Sequence, residues 1–406
     1  MTNKKVELLA PVGNFEKLEV AIHYGADAVY LGGKNFSLRN FSENFTLEEM
    51  KEGIKLSHKN NIHVYVTCNT YPRNIEIQEI EDYFKSIYEM RPDAIIVSDT
   101  GIFSLAREIM PNIPIHLSTQ ANTTNYKSVL FWEKLGVKRI NIARELSLKE
   151  IREIKDKCNI EIEAFIHGAL CISYSGRCLL SSFMANRESN RGMCCQPCRW
   201  NYAVVEEKRP GEYFKIAEDE NGTYIFNSKD LCMIEYIPEM IESGIDAFKI
   251  EGRAKTTNYL ATTLNVYRQA IDFYYQNPSN YKMKKEWIDE LNYINSRGYC
   301  TGFYIGDKKE LIPNFEKRTN YSENTFLGKV VEKIDDKRIK LDVRNKLFKG
   351  DIIEIISPNI PNKKDVICQI FNEYDVEVPF AQPNTLAIIS LTEDSYPYDL
   401  IRRVIS

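Results

Sequence analysis

Eight short apolar runs, rich in β-branched and aromatic residues, punctuate the chain at residues 6–10, 28–31, 63–66, 94–97, 115–118, 139–143, 161–166 and 247–250. Segments of helical apolar spacing lie between them, the pattern of repeated βα units around a parallel sheet. Eight such strands predict a TIM-type (β/α)₈ barrel, because an open doubly wound sheet would more usually hold five or six. Helix starts agree with this: Thr46 with Glu49, and Ser147 with Glu150, have the spacing of capping boxes.

Consecutive strands recur every 20 to 35 residues, except that roughly 80 separate the seventh from the eighth. The excess predicts an insertion over 168–227 on a βα loop, and such loops crown the C-terminal face where this architecture carries its active sites. A final helix is expected over 256–275, followed by a Gly- and Tyr-rich connector over 292–306. Short alternating strands then appear at 327–331, 339–343, 352–356, 366–370 and 386–391, which predicts a small all-β barrel. The expected organisation is a catalytic TIM-type barrel over 1–310, insertion included, and a C-terminal β-barrel over 321–406 that could dock RNA.

The formal charge is −4, from 53 basic and 57 acidic residues, so no global positive field draws the chain to nucleic acid or anionic membrane. RNA binding would need a local patch, and between Gly328 and Gly350 there are 8 basic and 4 acidic residues. No apolar run approaches the roughly 20 residues that span a bilayer, and Met1 to Lys5 lead directly into the first strand without a secretory h-region. The expectation is a cytoplasmic protein without membrane contact.

Of 10 cysteines, five fall between Cys171 and Cys198. In a reducing compartment such a cluster points to a metal or catalytic site before a disulfide framework. Four thiolates can hold zinc or an iron–sulfur cluster. Structural zinc usually takes two tight knuckles, whereas six residues separate Cys171 from Cys178, which favours iron–sulfur. Spacing leaves open whether Cys194 or Cys195 accompanies Cys198.

Several longer motifs accompany the cysteines: Glu7-Leu-Leu-Ala-Pro-Val-Gly13, Tyr24-Gly-Ala-Asp-Ala-Val-Tyr30, Pro114-Ile-His-Leu-Ser118, Gln120-Ala-Asn122, Arg144-Glu-Leu-Ser147, His167-Gly-Ala-Leu-Cys171 and Tyr174-Ser-Gly-Arg-Cys-Leu-Leu180. Asn227-Ser-Lys-Asp-Leu231, Lys249-Ile-Glu-Gly-Arg253 and Val266-Tyr-Arg268 follow. Together they resemble the bacterial collagenase-like peptidase family, which is better represented by prephenate-dependent nucleic-acid hydroxylases, and most closely its tRNA uridine 5-hydroxylases. The likeness runs over nearly the whole chain. It implies Cys171, Cys178, Cys194 and Cys198 as ligands of a 4Fe-4S cluster, prephenate as co-substrate and tRNA as partner, with a paralogous subunit or homo-oligomer as a further partner. The chain departs from the family in carrying Cys195 where relatives have a polar residue, and in a shortened segment between Trp200 and Gly211.

Strand ends supply the other candidates. His167, Lys249, Glu251 and Asp99 are candidate catalytic groups; Arg144, Arg253, Gln120, Asn122 and Arg177 are candidate substrate-binding groups. Asp99 could instead cap a helix, Gln120 and Asn122 could pin loops, and His167 could be a core histidine. Strand alternation would put Lys249, Glu251 and Arg253 on one side, and arginine forks suit a dicarboxylate such as prephenate. The reaction implied by the resemblance is hydroxylation of carbon 5 of the wobble uridine. The alternatives are a peptidase, an rRNA base hydroxylase and a non-catalytic RNA-binding protein. Neither a His-Glu-x-x-His helix nor a Gly-x-Ser-x-Gly elbow supports the peptidase.

Overall fold

The computed structural model describes residues 5–37, 43–171, 173–200, 203–205, 213–215, 228–294, 296–306, 325–358 and 361–404. The shortened stretch before Gly211, most of the expected insertion beyond Trp200, and the join between the two barrels at 307–324 lie outside the described residues.

Seven parallel strands follow in order: β1 (Glu7–Pro11), β2 (Ala28–Gly32), β3 (His63–Cys68), β4 (Ala94–Val97), β5 (Ile115–Leu117), β6 (Arg139–Asn141) and β7 (Glu161–Ala169). The insertion contributes a short hairpin of β8 (Ala203–Val205) and β9 (Tyr213–Lys215), and β10 (Asp230–Cys232) follows it. Next, β11 (Ala247–Ile250) pairs in parallel with both β7 and β1 and closes the eight-stranded barrel. The predicted TIM-type barrel is therefore present. Strand β10 runs antiparallel along the C-terminal end of β7, and β12 (Tyr299–Cys300) pairs beside it.

Alternation decides the layers. Leu8, Val29, Val64, Ile95, Ile140 and Phe248 point outward into the main core beneath the helices, while Leu9, Ala28, Tyr30, Tyr65, Ala94 and Ile96 form a separate cluster. Around that cover stand α1 (Phe15–His23), α2 (Leu47–Lys59), α3 (Ile77–Met90), α4 (Thr100–Ile109), α5 (Tyr126–Lys134) and α6 (Leu148–Lys155). The insertion adds α7 (Leu180–Ala185); α8 (Ile237–Glu242), α9 (Thr257–Gln276) and α10 (Lys285–Asn292) follow. Both expected capping boxes form, Thr46 with Glu49 at α2 and Ser147 with Glu150 at α6.

The C-terminal unit is an antiparallel sheet of β13 (Thr325–Lys333), β14 (Arg338–Val343), β16 (Ile352–Ile356), β17 (Lys363–Val366), β18 (Gln369–Phe371), β20 (Thr385–Ser390) and β21 (Leu400–Arg403). A small ladder of β15 (Leu347–Phe348) and β19 (Phe380–Ala381) accompanies it. Period-2 burial in β14 and β16 gives it a core of its own, with Leu341, Val343, Ile353 and Ile355 at the centre. This is the predicted all-β module. It docks firmly, since Ile356 and Leu400 join the large barrel's core and the buried Tyr24 hydroxyl donates to the Ile356 carbonyl at 2.6 Å.

Candidate active site on the C-terminal face

The barrel is floored by charge. Inside it, Arg139 meets Glu7, Glu161 and Glu163, and Lys249 pairs with Glu163 at 2.7 Å, its ammonium 4.3 Å from the Tyr30 ring centre. Burial raises the Glu7 carboxyl, but nearby His63, 3.8 Å away, and the hydrogen bonds donated by Arg139 and the Tyr65 hydroxyl outweigh it and hold the group at about 2. Both cations are held by carboxylates here, which makes a rigid base for what stands above them.

Above the floor lies a cavity lined by Tyr30, Thr67, Gln120, Arg144, Lys249 and Arg253, among others. Arg253 is 2% exposed and donates from Nη1 to Thr67 Oγ1 at 3.0 Å. Arg144 lies on the opposite wall with its guanidinium 4.0 Å from the Phe165 ring centre. Its Nη1 donates to the Ala169 carbonyl at 3.1 Å and approaches Cys171 Sγ at 3.8 Å, while its buried Nε has no hydrogen-bond partner among the described residues. Gln120 Oε1 is in the same state. Two arginines and an amide converging on a small enclosed space suit a carboxylate-bearing ligand.

Of the expected residues, Lys249, Glu251, Arg144, Arg253 and Gln120 therefore meet at one cavity. The route is not quite the expected one: β11 ends at Ile250, so alternation accounts for Lys249, and the following turn carries Glu251 and Arg253 inward. Asp99 stands elsewhere. Its Oδ1 accepts from the backbone N–H groups of Gly101 and Ile102 and caps α4. Asn122 ends a short helical turn in the left-handed region and does not line the cavity. Arg177 is exposed on the insertion, outside the cavity wall.

His167 also faces away. The pairing of β7 with β11 shifts register between Lys249 and Ile250, opposite Phe165 and His167, and a bulge of this kind breaks the two-residue alternation. Phe165 reaches the cavity, but His167 is packed among Tyr259, Tyr267 and Tyr299. Burial, with Lys255 nearby, drops its imidazole to about 3, so it stands neutral in the helix layer. Sequence reading missed Thr67, Asn69, Asn141, Glu163 and Phe165. The inward phase of their strands was the available signal, but it does not say which inward positions reach the mouth.

The cysteine loop is built onto this mouth. Gly168 and Gly176 have φ of +106° and +73°, and a Cβ at either would strike backbone, the Glu251 and Gln120 carbonyls respectively. Ser175 N donates to Glu145 at 2.8 Å, Tyr71 OH donates to the Gln120 carbonyl at 2.6 Å, and Tyr71 N to Asn190 O at 3.1 Å. Burial pushes the Cys198 thiol up to about 11, opposed by Arg199 and reinforced by the nearby sulfurs of Cys171, Cys194 and Cys178. Four sulfurs thus share one neighbourhood, although no three His, Cys, Asp or Glu side chains among the described residues gather tightly enough for a single ion. Four cysteine sulfurs on one loop are donors of the kind that an iron–sulfur cluster takes.

A closed parallel barrel with a cysteine-rich loop bound to its catalytic mouth defines the class of molecule. The chain belongs to peptidase family U32: that family's model matches residues 13–312, and the model of the peptidase family U32 C-terminal domain matches 322–402. It is 42% identical over 405 residues to the tRNA hydroxylation protein P1 of Bacillus subtilis (strain 168), covering 98% of this chain and 95% of that one. It is 37% identical to the tRNA hydroxylation protein P of Escherichia coli (strain K12), with 87% and 86% covered. Among solved structures, the U32 peptidase Mk0906 aligns with a TM-score of 0.42 at 12% identity, over 63% of this chain and 96% of that one.

Proposed function

We propose that this protein is a tRNA hydroxylase that forms 5-hydroxyuridine at the wobble position, using prephenate and a 4Fe-4S cluster. The juxtaposition that carries the reading is the cavity with two buried arginines sharing the Arg144 side chain with a four-cysteine loop. The names of the relatives from Bacillus subtilis and Escherichia coli supply the reaction class. Cys171, Cys178, Cys194 and Cys198 would hold the cluster, which supplies one-electron chemistry when bound. Arg253 and Arg144 would clamp the carboxylates of prephenate from opposite walls, and Gln120 would accept from its hydroxyl. Lys249 and its partner Glu163 fix the cavity floor. An anticodon loop offers its wobble base unstacked, so extruding that base toward the mouth costs little.

The cavity lining holds neither Cys nor His, so the Cys–His and Ser–His pairs of the common peptidases have no basis there. The test is mass spectrometry of tRNA nucleosides from cells lacking the gene. Loss of 5-hydroxyuridine derivatives, restored by the intact gene, is the expected result. Unchanged tRNA with altered rRNA nucleosides would move the substrate to the ribosome.

A further inference from the structure

The stripe expected to bind RNA on the C-terminal module is largely neutralised. Of its 8 basic residues, Lys329 and Arg344 pair with Glu16, Lys333 with Asp394, Arg338 with Asp335 and Asp375, and Lys349 with Glu377. Another surface has the opposite character. From Leu170 to Trp200 there are four arginines and one carboxylate, in a chain of net charge −4; Arg191 is held by Glu76 and Glu188, whereas Arg177 and Arg199 form no ion pair among the described residues. The same segment leaves Phe183 83%, Tyr174 60% and Trp200 45% exposed. Exposed aromatics scattered singly need no explanation, but several gathered on one short segment mark a surface with a use.

These groups belong to one crown. Tyr174 stands beside Ser175, which is bound to Glu145 and Thr119 at the cavity mouth. Phe183 lies on α7, which packs against the short turn of Pro197–Arg199 that leads to Trp200. Arg177 is exposed on the turn that starts at Tyr174. Positive charge with interleaved aromatic faces at the rim of a cavity is the pattern that binds unpaired nucleic acid, since every base has a π-face and every nucleotide a phosphate.

We propose that this crown docks an unpaired loop of RNA, whose bases stack on Tyr174, Phe183 and Trp200 while Arg177 meets a phosphate. The proposal rests on the tRNA reading above and assigns the surface that receives the loop. Holding bases on either side of the target would present the target itself to the cavity.

The test uses the full-length, cluster-loaded protein and an unmodified tRNA transcript, with a perfectly paired RNA duplex as control. Each aromatic replaced by Ala should weaken tRNA binding by roughly five- to a hundredfold where a base stacks on it. Iron content and duplex binding should stay as in the parent. Arg177→Gln should lower the salt slope of tRNA binding by about 0.7. In the parent, tRNA carrying 5-iodouridine in the anticodon loop should photo-cross-link to this segment. Parental affinity in the Tyr174→Ala, Phe183→Ala, Trp200→Ala triple variant would overturn the proposal. So would a change of oligomeric state without a change in tRNA affinity, which would make the crown a protein interface. A parent that binds no tRNA at all would instead remove the functional reading itself.

Discussion

At the scale of single residues, the proposed cluster gives each cysteine its own test. If Cys171, Cys178, Cys194 and Cys198 hold it, replacing any of the four by Ser should strip iron and bleach an anaerobically purified sample. Cys195→Ser should leave most of the iron in place, and iron loss from that variant alone would reassign the third ligand. For the arginines, Arg144→Gln and Arg253→Gln should each weaken prephenate binding by roughly ten- to a hundredfold, the worth of a charge-assisted pair of about 1.5–3 kcal/mol. Calorimetric titration reads this directly, and equal affinity in both variants would leave the arginines a purely structural role. His167 makes a pH prediction of definite sign. Its folded value of about 3 lies below the ordinary 6.5, so the unfolded chain binds the extra proton first. Its contribution to stability is full above pH 6.5 and drains away as pH falls toward 3, by up to about 1.4 kcal/mol per unit. Denaturant unfolding between pH 6 and 4 should show a shallower pH dependence in His167→Gln than in the parent.

Elements explain why a charge count misleads. The window from Gly328 to Gly350 looked basic because the carboxylates that neutralise it, Glu16, Asp375, Glu377 and Asp394, arrive from elsewhere in the chain. Three of its cations, Lys337, Lys340 and Lys346, have no ion pair among the described residues. The C-terminal sheet can therefore make at most three phosphate contacts through this stripe. Replacing all three lysines by Ala should reduce the salt slope of tRNA binding by no more than about 2 to 3. A larger fall would mean that the ion pairs open on RNA. The β7–β11 bulge shows the same limit in geometry: alternation counted from Phe165, which lines the cavity, would bring His167 to the same face, and the register shift turns it away.

At the scale of the whole molecule, the barrel and the C-terminal all-β unit are joined by buried polar contacts as well as apolar ones. Arg402 on β21 is 4% exposed and donates to both Glu290 oxygens, at 2.8 and 2.6 Å, and to Glu354. His23 and Asp399 add a contact at 3.1 Å, and Asn265 donates to the Ser357 carbonyl at 3.2 Å. Removing Arg402 leaves two carboxylates without their shared cation, at a cost of about 3–5 kcal/mol. Differential scanning calorimetry should show one transition for the parent and a lower midpoint for Arg402→Met. Two separate transitions in the parent would mean that the two units are energetically independent.

The sequence by itself determined the barrel, because eight period-2 strands with helices between them have few other ways to bury their outward faces. It also placed the cysteine block on a loop at the catalytic face and marked Arg144, Arg253, Lys249 and Gln120, since strand order and strand end fix where such side chains emerge. Tertiary structure alone decided that a bulge turns His167 into a tyrosine cage and that distant carboxylates neutralise the C-terminal stripe. Each of those depends on a partner far away along the chain, and local periodicity carries no information about partners that only folding brings near.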